Sequence, residues 1–327
     1  MQLKNIIGFI PGTNPKYDGE SVIISAHYDH LGTGWPDVHA GDEGKIHPGA
    51  DDNASGVAVM LELARLIGKK WQPERSILFI AFTGEEAEQL GSAYYAAHPK
   101  QFPIDKIMGV LNLDTVGRLN DNPLTVLGTG SASEWVHIFR GASFVTGINV
   151  NPVANDFGSS DQSIFHALGV PAVQFFGTPH MDYHRPGDTI DKIDTGGMVK
   201  TAAILKEAAE YLSNREQPLT VTLATADKPI AKSPASKKED KRVSVGTIPD
   251  FTFEGKGVKI SGLIPNSPAE KAGLKKGDIL VGFGDIPIND LSSYSEILKN
   301  MQAGDTAVLK FLREGKELEV SITTAVR

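Results

Sequence analysis

The chain has 327 residues, 40% of them hydrophobic and 22% charged, which excludes wholesale disorder and leaves enough apolar material for one large or two average domains. Its net charge of −8 is gathered in residues 1–212, with 15 basic and 25 acidic side chains against 17 and 15 in residues 213–327, so no nucleic acid is expected as a partner. Cysteine is absent, which excludes disulfides and thiolate ligands and leaves any metal to His, Asp and Glu.

In chain order, runs rich in β-branched residues stand at Asn5 to Ile10, Ser21 to Ala26, Ser76 to Phe82, Ile107 to Leu113 and Ala172 to Phe176. Most are continuously apolar, as buried strands are. Met1 opens almost directly onto the first of them, so a leader or N-terminal segment is expected to have been removed. No apolar run is long enough to cross a bilayer, and no transmembrane segment is expected. Between strands, Ala54 to Lys69 reads as a helix with Glu62, Arg65 and Lys69 on one stripe and Val57, Met60, Leu61 and Ile67 covering the rest; a second helix runs from about Gly197 to Leu212. Alternating strands and helices predict a layered α/β domain over residues 1–212. Residues 213–242 turn to Pro, Ala, Thr, Ser and Lys with almost no large apolar side chain and read as a flexible linker. The remaining residues, 243–327, suffice for one small domain.

Polar residues cluster where the apolar runs end, which is where ligands gather in open α/β sheets. SAHYDHLG places His27 and Asp29 two residues apart, so a histidine with a carboxylate orienting its other nitrogen is feasible. PGADDNASG precedes the first helix; one aspartate there is explained by capping, whereas Asp51 and Asp52 together exceed that need. AFTGEEAEQ supplies Glu85 and Glu86, LNLDTVGR supplies Asp114 and DYHRPGDT supplies Tyr183 and His184. Singly, each segment also reads as a cap or a solvated turn. Together they hold about the inventory that two metals sharing a carboxylate require.

The ordered series AHYDH, GADDNASG, GEE, LD and YH resembles the co-catalytic dizinc peptidases that include the secreted bacterial leucine aminopeptidases, over roughly residues 5 to 212. The resemblance implies a layered α/β/α zinc exopeptidase domain with a mixed central sheet. It implies two Zn2+, one on His27, Asp52 and Asp114 and one on Asp52, Glu86 and His184, with Asp52 bridging. Glu85 then matches the general base, Asp29 the partner of the first histidine, and Tyr183 a group that polarises the scissile carbonyl in some members. FGSSDQSIF, residues 157–165, is similar to a segment near the substrate pocket of that family, but reads as a turn and helix start, with no role for Gln162. His30, His39, His47, His166 and His180 fall outside the implied ligand set and read as loop or supporting residues. Members usually carry a further helical segment before the strand matching Asn5 to Ile10.

The last part, with SPAEKAGLKKGD at its centre, resembles the PDZ domains attached to bacterial proteases. That implies a small, mostly-β module with a helix from about Pro268 stopped by Gly273, a strand from Ile279 to Gly282, and Val245 to Ile248 as the loop that would capture a peptide or protein C-terminus. The whole then implies an aminopeptidase of peptides in an extracytoplasmic (periplasmic or secreted) setting. The rivals are a carboxypeptidase or glutaminyl cyclase of the same family and a catalytically silent peptide-binding protein.

Overall fold

The computed structural model describes residues 3–36, 38–99, 101–156, 160–223 and 243–326. They form two compact units, one of the described residues within 3–32, 47–180 and 186–223 and one of those within 33–46, 181–185 and 243–326.

The first unit is built on β1 (Ile6–Ile10), β2 (Ser21–His27), α1 (Gly56–Lys70), β3 (Ser76–Phe82), α2 (Leu90–Ala97) and β4 (Ile107–Leu113). It continues through β5 (Leu124–Leu127), α3 (Trp135–Thr146), β6 (Val150–Pro152), α4 (Gln162–Ala167), β7 (Ala172–Phe176) and α5 (Thr195–Asn214). Seven strands make one mixed sheet in the order β1-β3-β2-β4-β7-β5-β6. β3, β2, β4 and β7 are mutually parallel, while β1 runs antiparallel to β3 and β5 antiparallel to β7. The central strands β2 and β4 are buried throughout, as their mainly apolar sequences require. β1 differs: it is an edge strand whose first four residues are exposed.

Helices cover both faces of this sheet. On one side Val59, Met60, Leu63 and Ile67 of α1 join Ile204, Leu205, Ala208 and Leu212 of α5 and Trp135 and Phe139 of α3 against Val22, Ile24, Leu111 and Val173. On the other, Tyr95 of α2 and Phe165 of α4 pack with Ile23, Leu78, Ile80 and Val110. Leu61 is not part of the buried face of α1 but lies on its solvent side, because the buried stripe recurs at positions 60, 63 and 67 and leaves position 61 with Glu62 and Arg65. The two strands and the helix between Leu124 and Pro152 escape the sequence pattern. β5 and β6 have only four and three residues, too few to display a period.

α5 extends to Asn214, and the chain stays on the first unit beyond it. Arg75, almost wholly buried, holds Glu20 with its Nε at 2.7 Å and donates to the carbonyls of Ser213 and Arg215. Leu219 is buried and Val221 bridges to Ala132. The rest of the expected linker, residues 224–242, lies outside the described residues.

The second unit is mostly β. It comprises β8 (Val243–Ser244), β9 (Thr247–Pro249), β10 (Val258–Leu263), α6 (Pro268–Lys271), β11 (Ile279–Phe283), β12 (Ile286–Pro287), α7 (Leu291–Lys299), β13 (Thr306–Arg313), β14 (Lys316–Thr323) and β15 (Ala325–Val326). The sheet path β14-β13-β11-β10-β9 is antiparallel at each pairing, with β12 on β11 and a separate β15–β8 pair. Val258, Ile260, Leu280, Phe283, Leu309 and Phe311 form its core with Tyr294 and Ile297 of α7. Ser267 caps α6 and Pro268 opens it, so that helix starts where its sequence says it should. Gly246, at φ +84°, sits so close to Ser267 that an added Cβ would meet the serine Cβ at 2.1 Å, which reserves this turn before β9 for glycine. No described helix in either unit is long and apolar enough to cross a membrane.

Candidate metal centre

Strand register gathers the site. β2 and β3 pair His27 with Phe82, and β2 and β4 pair Ala26 with Leu113, so three parallel strands end at one level. His27 closes β2, Asp114 follows β4 by one residue, and Glu85 and Glu86 follow β3 within a turn. Asp52 comes from the turn Ala50–Ser55 that leads into α1, in which the Asp52–Asn53 peptide bond is cis.

Two groups of possible ligands result, His27 with Asp52 and Asp114, and His30 with Asp52 and Glu86; within each group one donor atom per residue lies within 4.8 Å of the others. His27 Nε2 stands 3.2 Å from Asp52 Oδ1 and 3.5 Å from Asp114 Oδ1. Its Nδ1 faces the carbonyl of Asp29 at 3.1 Å, so the ring donates there and turns the Nε2 lone pair into the site. Asp29 thus orients His27 with its backbone oxygen, its carboxylate lying 3.9 Å from Nδ1. That carboxylate instead accepts the N–H groups of Glu85 and Glu86 at 3.2 and 3.4 Å and fixes the turn that carries both glutamates.

Each group bears a stated electrostatic load. Burial and the neighbouring carboxylates Asp114, Asp161 and Glu86 push Glu85 well above the usual carboxylate range, against the opposing pull of His27. Asp114 is raised as well, by burial and by Asp52, again against His27. The imidazole of His27 is raised too, for the opposite reason: burial disfavours its charge, but Asp114, Asp52 and Glu85 outweigh burial and raise it well above its ordinary value. So many buried acids around one imidazole form a place where a divalent cation is favoured, and mixed nitrogen and oxygen donors suit zinc.

Behind Asp52 lies a second layer of contacts. Asp188, fully buried, accepts the N–H groups of Asp51 and Asp52 at 2.9 and 3.0 Å and faces Arg118. Asp51 turns away from the ligand groups: its carboxylate accepts from Gly117 N and Ser55 Oγ and pairs with His180 at 3.0 Å. Asp51 thereby holds its loop against the segment after Asp114.

Tyr183 and His184 belong to residues 181–185 of the second unit. Their rings stack at 4.0 Å, His184 is buried in a left-handed backbone conformation at φ +56°, and the next residue, Arg185, reaches Asp42 at 3.1 Å. Neither ligand group found among the described residues includes His184; the imidazole beside Glu86 is that of His30, at 2.8 Å. The only sequence signal for His30 was its place in AHYDH, three residues beyond His27.

Two acid-and-imidazole groups sharing one aspartate, on loops leaving parallel strands, are the layout of a two-metal hydrolase. Residues 5–209 match peptidase family M28, and the chain belongs to that family. Residues 231–324 match the PDZ domain. Aminopeptidase YwaD of Bacillus subtilis is 30% identical over 229 residues, which are 67% of this chain and 47% of that protein. The solved structure of BSAP, a zinc aminopeptidase from Bacillus subtilis, superposes with a TM-score of 0.55 at 27% identity, covering 67% of this chain and 53% of that one. The chain thus spans about half the length of these relatives. Over 67 residues, 20% of this chain and 14% of the other, it is 36% identical to a probable periplasmic serine endoprotease DegP-like protein of Chlamydia trachomatis.

Proposed function

We propose that this protein is a two-zinc aminopeptidase that removes N-terminal residues from peptides. The observation that carries the reading is the shared position of Asp52 between His27 and Asp114 on one side and Glu86 on the other, with Glu85 adjoining. The names of the family relatives, as aminopeptidases, support it. His27, Asp52 and Asp114 would hold one zinc, and Asp52, Glu86 and, by family pattern, His184 the other, with His30 as the hydrogen-bond partner of Glu86. Zinc bound there would polarise the scissile carbonyl and acidify a water.

Glu85 would accept the proton of the attacking water and pass it to the leaving amine, a task for which a carboxylate made more basic by its surroundings is suited. Asp29 keeps Glu85 and His27 in register, since its carboxylate and its carbonyl bind one each. By family pattern, Tyr183 would serve as the group that polarises the carbonyl oxygen. The match of the second unit to the PDZ domain and the chain's likeness to a probable periplasmic protease fit an extracytoplasmic setting and a peptide or protein C-terminus as its ligand, presented along β9, which begins within the Val245 to Ile248 segment.

The deciding experiment offers the zinc-loaded protein a panel of free aminoacyl, N-blocked and C-terminal-reporter peptides. Release from the free aminoacyl substrates alone is expected. Cleavage from the carboxyl end, cyclisation of N-terminal glutamine, or no turnover with two zinc ions bound would each replace the reading by one of its rivals.

A further inference from the structure

The outer edge of β9 is unevenly equipped to take an added strand. Among the described strands β9 stands last on the sheet path of the second unit, with β10 as its neighbour. Ile264 N–H donates to the carbonyl of Gly246 at 2.9 Å, and Asp250 N–H donates to the carbonyl of Lys259 at 2.8 Å, so Gly246 and Asp250 turn these backbone groups toward β10. In an antiparallel pair successive residues alternate between facing the partner and facing away. Thr247 and Pro249 are therefore the two residues of β9 whose backbone groups look outward.

These two offer different things. Thr247 carries both an N–H and a carbonyl. Pro249 has no N–H, and its carbonyl already accepts the Ser261 hydroxyl at 3.0 Å. The turn before Thr247 is arranged to receive negative charge: the Val245 carbonyl accepts from Ala269 N–H at 2.8 Å and the Gly246 carbonyl from Ile264, so neither oxygen is aimed at the edge. Thr247 is also anchored to α7, its hydroxyl lying 3.0 Å from that of the buried Tyr294. An antiparallel peptide whose last residue lay opposite Thr247 would take that N–H on its carboxylate and give its own N–H to the Thr247 carbonyl. Its third residue from the end would then stand opposite Pro249, where its carbonyl meets a ring and no donor.

We infer that the second unit grips a peptide C-terminus by its last one or two residues and not as a long added strand, with Pro249 as the residue that sets the limit. This deepens the reading of the module as a binder of C-termini and rests on it. Proline on an edge strand also guards against stray strand pairing. That role alone predicts no dependence on peptide length, whereas a short grip makes the carboxylate the main feature recognised and leaves residues further back unread.

The test titrates the full-length protein with N-acetylated peptides, which lack a free amine for removal, while the Thr247 amide is followed by NMR. The peptides have one, two, three, five or eight residues, end in Ala or Val and carry only alanines before that. In the parent, affinity is expected to level off by two residues and to stay within twofold out to eight. Pro249→Val restores the missing donor, so it should bind the five-residue peptide about 2- to 10-fold more tightly than the parent does, as one hydrogen bond would give, and the single acetylated residue equally. Parent affinity that keeps rising to five residues or beyond, or no gain in a folded Pro249→Val, would overturn the short grip. Should that variant fail to fold by thermal melting, Pro249→Ala takes its place with the same expectation. C-terminal amides binding as tightly as acids, or no response at Thr247 to any peptide, would instead overturn the C-terminus reading beneath it.

Discussion

Glu85 and Glu86 are adjacent in the sequence and donate their backbone N–H groups to one shared acceptor, the Asp29 carboxylate. What separates them is their neighbours: His30 lies against Glu86, while Glu85 faces His27, Asp114 and Asp161. Replacing Glu85 by Gln keeps size and contacts but deletes the proton acceptor. Turnover is expected to fall about 100- to 10,000-fold with both zincs retained; normal kcat at full metal content would reassign it to a structural role. A second pair of substitutions separates the imidazoles. His184→Ala should cost one zinc, while His30→Ala should keep two and weaken only the one on Glu86. The reverse pattern in zinc counting would make His30 the ligand. In the second unit Asp278 is buried, which works to raise it, yet the two 2.7 Å contacts from Arg313 and the Lys275 N–H hold it below the usual carboxylate range. A folded value below the unfolded one, about 3.9, means that this stabilisation is full above that value and is lost as pH falls through the lower folded one. Asp278→Asn should therefore destabilise the second unit by about 2 kcal/mol at neutral pH and by progressively less in acid, as read by amide protection in residues 243–326.

At the scale of elements, the turn Ala50–Ser55 is positioned by a residue far along the chain. Removing the carboxylate of Asp188 leaves the N–H groups of Asp51 and Asp52 buried and unpaired, at about 1–3 kcal/mol each. Asp188→Ala should accordingly weaken both zincs together through Asp52, whereas Asp188→Asn, keeping one acceptor oxygen, should lose less; unchanged zinc affinity in the alanine variant would show that the turn holds itself. This clamp was not legible in the sequence, since Asp188 sits in DYHRPGDT as one more loop aspartate and the N–H groups of Asp51 and Asp52 that it accepts lie more than a hundred residues away. The strands β2, β3, β4 and β7 were legible because burial on both faces leaves mainly apolar runs. β5 and β6 were too short, and β1 sits at an exposed edge in place of the interior. Ser25 and Asn112 did leave a trace: a polar residue inside an apolar strand, two before a candidate ligand, marks a buried network. The AHYDH motif pointed to His27 and Asp29, but could not say that Asp29 would serve the histidine with its carbonyl and the glutamates with its carboxylate.

For the whole molecule, the two units carry separate cores, and the described ligand groups all fall in the first. Residues 215–223 remain packed there through Leu219 and Val221, so we propose that the hydrolase part extends to about residue 223. A protein ending at residue 223 should still fold and cleave dipeptide-sized substrates, while one ending at Leu212 should be less stable, because it strips Arg75 of the Ser213 and Arg215 carbonyls. If the PDZ module recruits peptides, its removal should lower kcat/KM for long substrates and spare short ones, through lost effective concentration. Equal loss on both, in a folded protein at matched zinc content, would mean that the module shapes the catalytic site.

The parallel register that lines up His27, Phe82 and Leu113 also sets when the centre can come into being. Ser21 pairs with Ser76 and with Ile107, contacts that close long loops and form slowly, whereas β13 and β14 are joined by the tight turn at Glu314 and Gly315. A chain leaving the ribosome cannot assemble His27, Asp52 and Asp114 until β4 has emerged and found β2. Zinc would thus be held only once β2 and β4 have paired, and its supply would bear on how long the finished domain lasts more than on whether its first contacts form.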